Sequence, residues 1–387
     1  MRNRWGILAV LFTVRLTMAF QFQTVAAVAP LLKTQFGVGI AEIGFLIGLY
    51  FTPGVVLALP GGAIGKWLGD KQATFAALAL MLAGSLAMAF GESWSWQVAG
   101  RLVGGAGGVL LNVQLTKMIT DWFAGKEIAT AMAVFVNSWP AGIALSLLTL
   151  PSIGTGYGVN AVHLSIAAMA AIGIALTFLY RSPPREVAAA ASARLDIRTM
   201  MAVIVAALIW GLFNVAFAVT FSFGPIMLVE RGWTIAQAGS VISIGLWLGV
   251  LSVPMGGLLA DRLKAPQAVL VVGSLVFAGL MLCFAHTGAV LFSVIAIGLI
   301  GGQPAGPMMS LPARVLSPAT RAIGMGIFYT IYYGTMMIGP IIGGAAAKWQ
   351  GSATAAFDFG ALVLLVCPLL LVGYNAIAAA RLRVAAA

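Results

Sequence analysis

Arg15 sits in FTVRLTMAFQFQ (residues 12–23), a run that is otherwise largely apolar, and Arg101 opens a second such run, RLVGGAGGVLLN (101–112). A guanidinium stays charged, and at the centre of a lone membrane helix it costs about 2.5–3.5 kcal/mol. Its planar fork of donors matches a planar oxyanion such as a carboxylate. Amides and phenols in other apolar runs could hydrogen-bond the rest of a ligand: Asn112, Asn137, Asn214, Gln303, Tyr329, Tyr332 and Tyr333. Enzyme chemistry has less to work with. It needs a nucleophile–base pair, a carboxylate pair or a metal cluster. His163 and His286 are far apart, Cys283 and Cys367 each stand alone, and Asp358 is the one acid expected within a span. Neither a metal nor a cofactor is therefore expected. Glycines 104–108 lie mid-span rather than opening a helix after a strand, which suits close helix packing and not a phosphate cradle.

The elements that hold these residues follow from composition. Of 387 residues, 61% are hydrophobic and only 8% charged, against about 25% charged in soluble domains. So few charges cannot coat a water-soluble globule, and the chain is read as an integral membrane protein whose partner is the lipid bilayer. The net charge of +11 does not indicate nucleic-acid binding, because the basic residues fall between apolar runs and form no patch with interleaved aromatics.

A span takes about 20 apolar residues. Cutting at polar or Gly/Pro punctuation gives twelve, at about 6–32, 42–64, 72–91, 95–119, 128–150, 160–180, 199–223, 235–259, 267–286, 288–311, 321–346 and 354–378. They are called spans 1 to 12 below. The basic, Ala-rich stretch RSPPREVAAAASARLDIR (181–198) divides them into two sets of six. The expected domains are thus 1–180 and 199–387, joined by a cytoplasmic linker at 181–198. No cleavable signal peptide is expected, since the first run carries Arg15 and continues to Pro30. With the N-terminus inside, all but five of the 21 Lys and Arg lie on the cytoplasmic side, Lys66, Lys71, Lys117, Arg181, Arg262 and Arg314 among them. The other side has Lys33, Arg231 and Lys348, while Arg15 and Arg101 lie in the membrane. By the positive-inside rule both termini are cytoplasmic. An internal repeat supports the division: LPGGAIGKWLGDK (59–71) late in span 2 is echoed by VPMGGLLADRLK (253–264) late in span 8.

On these residues the sequence resembles the major facilitator superfamily along its whole length. GLLADRL (257–263) matches that family's loop motif and RLVGGAGGVLLN its fourth-helix motif. Within the superfamily, RLTMAFQFQTVAAVAPLL, FVNSWPAGIALSL and GIFYTIYYGTMMIGP look like the bacterial cyanate, nitrite and 2-nitroimidazole porter branch. The first loop motif departs from the pattern, with Lys66 or, after a gap, Asp70 in the acidic place. The antiporter signature of the fifth helix is replaced by NSWPAG.

The resemblance implies an all-α fold of two pseudo-symmetric six-helix bundles in a bacterial inner membrane, acting as a monomer. It implies transport by rocking of the two halves around a cavity lined by spans 1, 4, 7 and 10. On that basis the substrate-binding residues are Arg15, Phe22, Asn112, Asn137, Trp210, Asn214, Gln303, Tyr329, Tyr332 and Tyr333. Gating or coupling falls to Arg101, Asp70, Asp261 and Arg262. Gln303 stands beside Pro304, where a broken helix could free backbone groups for a ligand. A cavity arginine without a counter-carboxylate is best explained by a visiting small anion, and Arg15 is read as its anchor. Alternatives remain: Arg15 could bond backbone carbonyls, Arg101 could reach the outer interface, and the lone amides could simply bridge helices. Efflux of drug-like compounds is the competing function; a passive channel or a membrane enzyme fits less well.

Overall fold

The computed structural model describes residues 3–58, 67–123, 127–181, 195–317 and 320–385. Residues 59–66 of the first loop motif, Lys66 included, and 182–194 of the expected linker lie outside the described residues. Among the described residues every regular element is helical, and eleven helices are long and apolar enough to cross a membrane. One of these, Val134–Thr177, supplies two crossings. Its backbone leaves the helical region at Gly158 (φ 83°, ψ 171°). A Cβ on Gly154 would lie 3.2 Å from a methyl of Val162, a contact that eight residues of straight helix, about 12 Å long, could not make. The chain therefore folds back there, and the expected spans 5 and 6 meet at a tight turn instead of a loop at 151–159.

Local chemistry sets the ends. Span 1 (Arg4–Ala27) starts on Asn3, whose side chain accepts from the Trp5 amide at 3.0 Å. Span 7 (Ile197–Glu230) starts on Asp196 in the same manner, and span 8 (Ile235–Leu263) on a capping box between Thr234 and Gln237. Span 2 is broken into Ile40–Leu49 and Thr52–Leu57 ahead of Pro53, and span 10 into Val290–Ile300 and Ala305–Val315 around Pro304. Spans 3, 4, 9, 11 and 12 are Asp70–Phe90, Trp94–Phe123, Pro266–His286, Arg321–Gln350 and Thr354–Ala385.

In lipid, apolar burial does not drive helices together, so close backbone approach and polar bonds must. The glycines of span 4 serve this end: a Cβ on Gly105 would come within 3.0 Å of the Tyr50 carbonyl carbon of span 2. The outer faces carry exposed Phe292, Leu362, Leu369 and Val372, as lipid contact requires. Trp96 and Trp349 are exposed near span ends, where an aromatic belt is expected.

Spans 1–6 and 7–12 meet chiefly on the face away from the termini. There span 2 lies against span 11, with Gly44 so close that a Cβ would stand 2.5 Å from the Pro340 carbonyl oxygen and 2.9 Å from Gly344 Cα. Gly239 of span 8 packs on the Leu147 backbone of span 5. Gln23 of span 1 donates to the Phe221 carbonyl of span 7 at 2.8 Å. Toward the termini the same spans carry exposed apolar residues, including Val56, Val136, Met255 and Leu258. The described contacts between the halves thus gather on the far face.

Candidate functional site

Arg15 lies halfway along span 1, half-buried, where spans 4, 5 and 11 converge on it. Its Nε donates to Asn112 Oδ1 at 3.1 Å. Its Nη1 donates to the Phe135 and Val136 carbonyls at 3.2 and 3.1 Å and to Ser138 Oγ at 3.2 Å. The Val136 carbonyl is available for a chemical reason. Its helical partner would be the amide of residue 140, and Pro140 has no N–H. The NSWPAG departure noted in the sequence thus builds the cradle. Phe135 places its ring 4.7 Å from the guanidinium carbon, and Trp139 lies 6.0 Å from it.

Asn112 is used from both ends. Arginine only donates, so Oδ1 must face Arg15, and Nδ2 then donates to the Tyr333 hydroxyl across the junction of the halves at 3.0 Å. Arg15 Nη2 has no hydrogen-bond partner among the described residues, and neither do the Tyr329 and Tyr332 hydroxyls. None of these three atoms is sealed from solvent. No described carboxylate pairs with Arg15.

Around this polar core runs a continuous set of aromatic rings. Trp139 stacks on Phe22 at 5.3 Å, Phe22 meets Phe51 at 4.9 Å, and Phe51 stacks on Tyr333 at 6.1 Å. In the second half Tyr333 meets Tyr332 at 5.1 Å, and Tyr332 faces Trp210 at 6.5 Å. Tyr329 lies 6.3–6.4 Å from both tyrosines. All three expected tyrosines therefore belong to one cluster, as their i, i+3, i+4 spacing on one face of span 11 allows.

Other expected site residues are not drawn in. Asn214 donates to Trp210 O and Gln303 to Leu299 O, each within its own span. The break at Gly301–Pro304 leaves no free backbone N–H for a ligand, because Gly301, Gln303 and Ala305 amides bond carbonyls three or four residues back and Gly302 N–H reaches Ser252 Oγ at 3.1 Å. Asn137 makes no described side-chain hydrogen bond with the cluster; its neighbour Ser138 takes that place. Phe51 and Phe135 are members that residue type did not select.

Arg101 is 2% exposed and does not reach the outer interface. Its Nε, Nη1 and Nη2 donate to the carbonyls of Leu46, Gln21 and Phe22 at 3.0, 3.0 and 2.7 Å, with the Tyr50 ring 4.5 Å from its guanidinium carbon. It ties spans 1, 2 and 4 together. Asp70 is held by Lys117 of span 4 at 2.8 Å, and Lys117 also pairs with Asp121. This acid is therefore latched inside its own half. Asp261 and Arg262 are exposed and form no ion pair among the described residues. His286 does not stand alone: it meets Asp358 at 2.6 Å, joining spans 9 and 12.

Comparison with known proteins places this arrangement. Residues 11–340 and 199–383 match the Major Facilitator Superfamily profile. The inner membrane transport protein YajR of Escherichia coli is 29% identical over 180 residues, 46% of this chain and 38% of that protein. An MFS-type transporter of Mycobacterium tuberculosis is 25% identical over 261 residues, 64% of this chain and 57% of that one. The matched region thus spans about two fifths to three fifths of these relatives' lengths. Among solved structures, a POT family transporter in complex with a thioalcohol-conjugated peptide superposes with a TM-score of 0.75 at 14% identity, covering 96% of each chain. The nucleoside transporter NupG does so at 0.73 and 14% identity, covering 97% of this chain and all of that one. These likenesses speak to the fold. They do not single out the cyanate and nitrite porter branch. From its sequence match and its helical architecture together, the chain belongs to the Major Facilitator Superfamily, a family of membrane transporters and not of enzymes.

Proposed function

We propose that the protein is a secondary transporter that moves a small anion by alternating access, with Arg15 as the substrate anchor. The observation that carries this reading is a cation at mid-span that no described carboxylate neutralises and whose Nη2 has no described hydrogen-bond partner. A guanidinium held by dipoles alone keeps its full charge, and an entering anion meets that charge in surroundings of low dielectric. Asn112 and Tyr333 complete the site from both halves, so binding and rocking act on the same atoms. With the termini cytoplasmic, as the positive-inside rule suggests, the conformation here is closed outside and receives substrate from within. Asp70 with Lys117, and Asp261 with Arg262, are then elements of the inner gate, in a monomer of the inner membrane.

Counterflow of labelled small anions into proteoliposomes tests this. Arg15→Lys and Arg15→Gln should each reduce exchange to near background when assayed well below each variant's own unfolding midpoint, which the loss of Arg15 hydrogen bonds lowers. Undiminished exchange in both variants would remove Arg15 from the mechanism. The aromatic wall favours one competing reading, efflux of a neutral amphipathic compound. Efflux of such a compound that survives Arg15→Gln would support that reading instead.

A further inference from the structure

Resting on the anion reading above, we infer that the substrate is a flat aromatic or conjugated monoanion, held end-on, and not a small inorganic anion. The argument starts from what Arg15 has left to give. Bidentate capture of a carboxylate needs two N–H groups on one edge of the guanidinium. Both edges are already committed, one through Nε to Asn112 and the other through Nη1 to Phe135, Val136 and Ser138. Only Nη2 is open, so the guanidinium can meet an incoming oxyanion at a single nitrogen. The nearby hydroxyls without partners, Tyr329 and Tyr332, supply further donors from the other half.

Such a contact is modest, and a nitrite-sized ion would gain little beyond it. The remaining surface is aromatic on both sides of the junction: half-buried Trp139 from the first half, half-buried Tyr332 and Trp210 from the second. Trp139 and Phe135 flank the guanidinium itself. A planar ring whose anionic group reaches Nη2 lies against these faces. Stacking of this kind favours an aromatic ring over a saturated one of equal size by about two- to tenfold.

The test measures binding to the purified full-length protein in nanodiscs by quenching of tryptophan fluorescence and by calorimetry. The probes are benzoate, cyclohexanecarboxylate, nitrite and benzamide. Benzoate should bind at least threefold more tightly than cyclohexanecarboxylate and tenfold more tightly than nitrite, with benzamide undetected. Trp139→Leu and Trp210→Leu, in opposite halves, should each erase the benzoate preference while retaining cyclohexanecarboxylate binding. Either variant suffices if the other fails to fold, and Tyr332→Phe should lower benzoate affinity with the preference kept. Equal affinity for benzoate and cyclohexanecarboxylate, tighter binding of nitrite, or no binding of any probe overturns the aromatic inference. Benzamide binding as well as benzoate, unchanged by Arg15→Gln, would instead overturn the anion reading on which it rests.

Discussion

Gly44→Ala offers a direct test of how the halves meet on the far face. The added Cβ would stand 2.5 Å from the Pro340 carbonyl oxygen and 2.9 Å from Gly344 Cα, where ordinary contact begins at 3.4 Å. Spans 2 and 11 must therefore part by up to 3.4 − 2.5, about 0.9 Å, because both obstacles are backbone atoms without a rotamer to yield. Overpacking of this kind costs about 1–3 kcal/mol. The charge falls on the far-closed state alone, so the equilibrium with the far-open state shifts by about 5- to 150-fold. Spin labels at the exposed Gln35 and Gln350, after replacement of Cys283 and Cys367 by Ala, report the separation of the two halves on that face. In Gly44→Ala the short-distance population should fall and a longer one rise. Gly257→Ala, which has nothing within 4 Å, should leave the distribution unchanged. Identical distributions in Gly44→Ala and the parent would refute the steric account of that contact.

Three further outcomes follow from the contacts around the two arginines. Arg101→Lys leaves a compact ammonium where a fork met three carbonyls, and should lower the thermal midpoint by several degrees, since each charged bond lost is worth about 1.5–3 kcal/mol; an unchanged midpoint contradicts the strut role. Pro140→Ala restores an amide that competes with Arg15 for the Val136 carbonyl, and calorimetry should show anion affinity weakened about tenfold, the equivalent of about 1.4 kcal/mol. Tyr333→Phe deletes the acceptor of the Asn112 bond between the halves, and the same spin-label pair should show a shift of population worth about 0.5–1.5 kcal/mol.

Much of the architecture was legible from hydropathy and charge, because a bilayer forces each crossing to be long, apolar and helical. The turn at Gly158 was not, since the helical pattern continues through it and only a positive φ marks the reversal. At the site, Arg15, Phe22, Asn112, Trp210 and the three tyrosines were selected by residue type and are joined in space. The amides of Asn214 and Gln303 were selected by the same reasoning and fell back onto their own spans, a choice that periodicity cannot foresee. The carbonyls of Phe135 and Val136 carry no signature of their own, because every residue has a carbonyl. Pro140, four residues after Val136, was their one written trace. The burial of Arg101 depends on how far span 4 sinks against spans 1 and 2, which glycine spacing permits without specifying.

Asn112 grips Arg15 with one end and Tyr333 with the other. Whatever parts the two bundles must tear away one of those grips. In the proposed rocking cycle, parting the halves leaves the Asn112 amide without its Tyr333 acceptor and free to donate elsewhere. If that cycle operates, the site has one more open donor with the halves apart than with them joined, and its affinity for an anion differs between the two states.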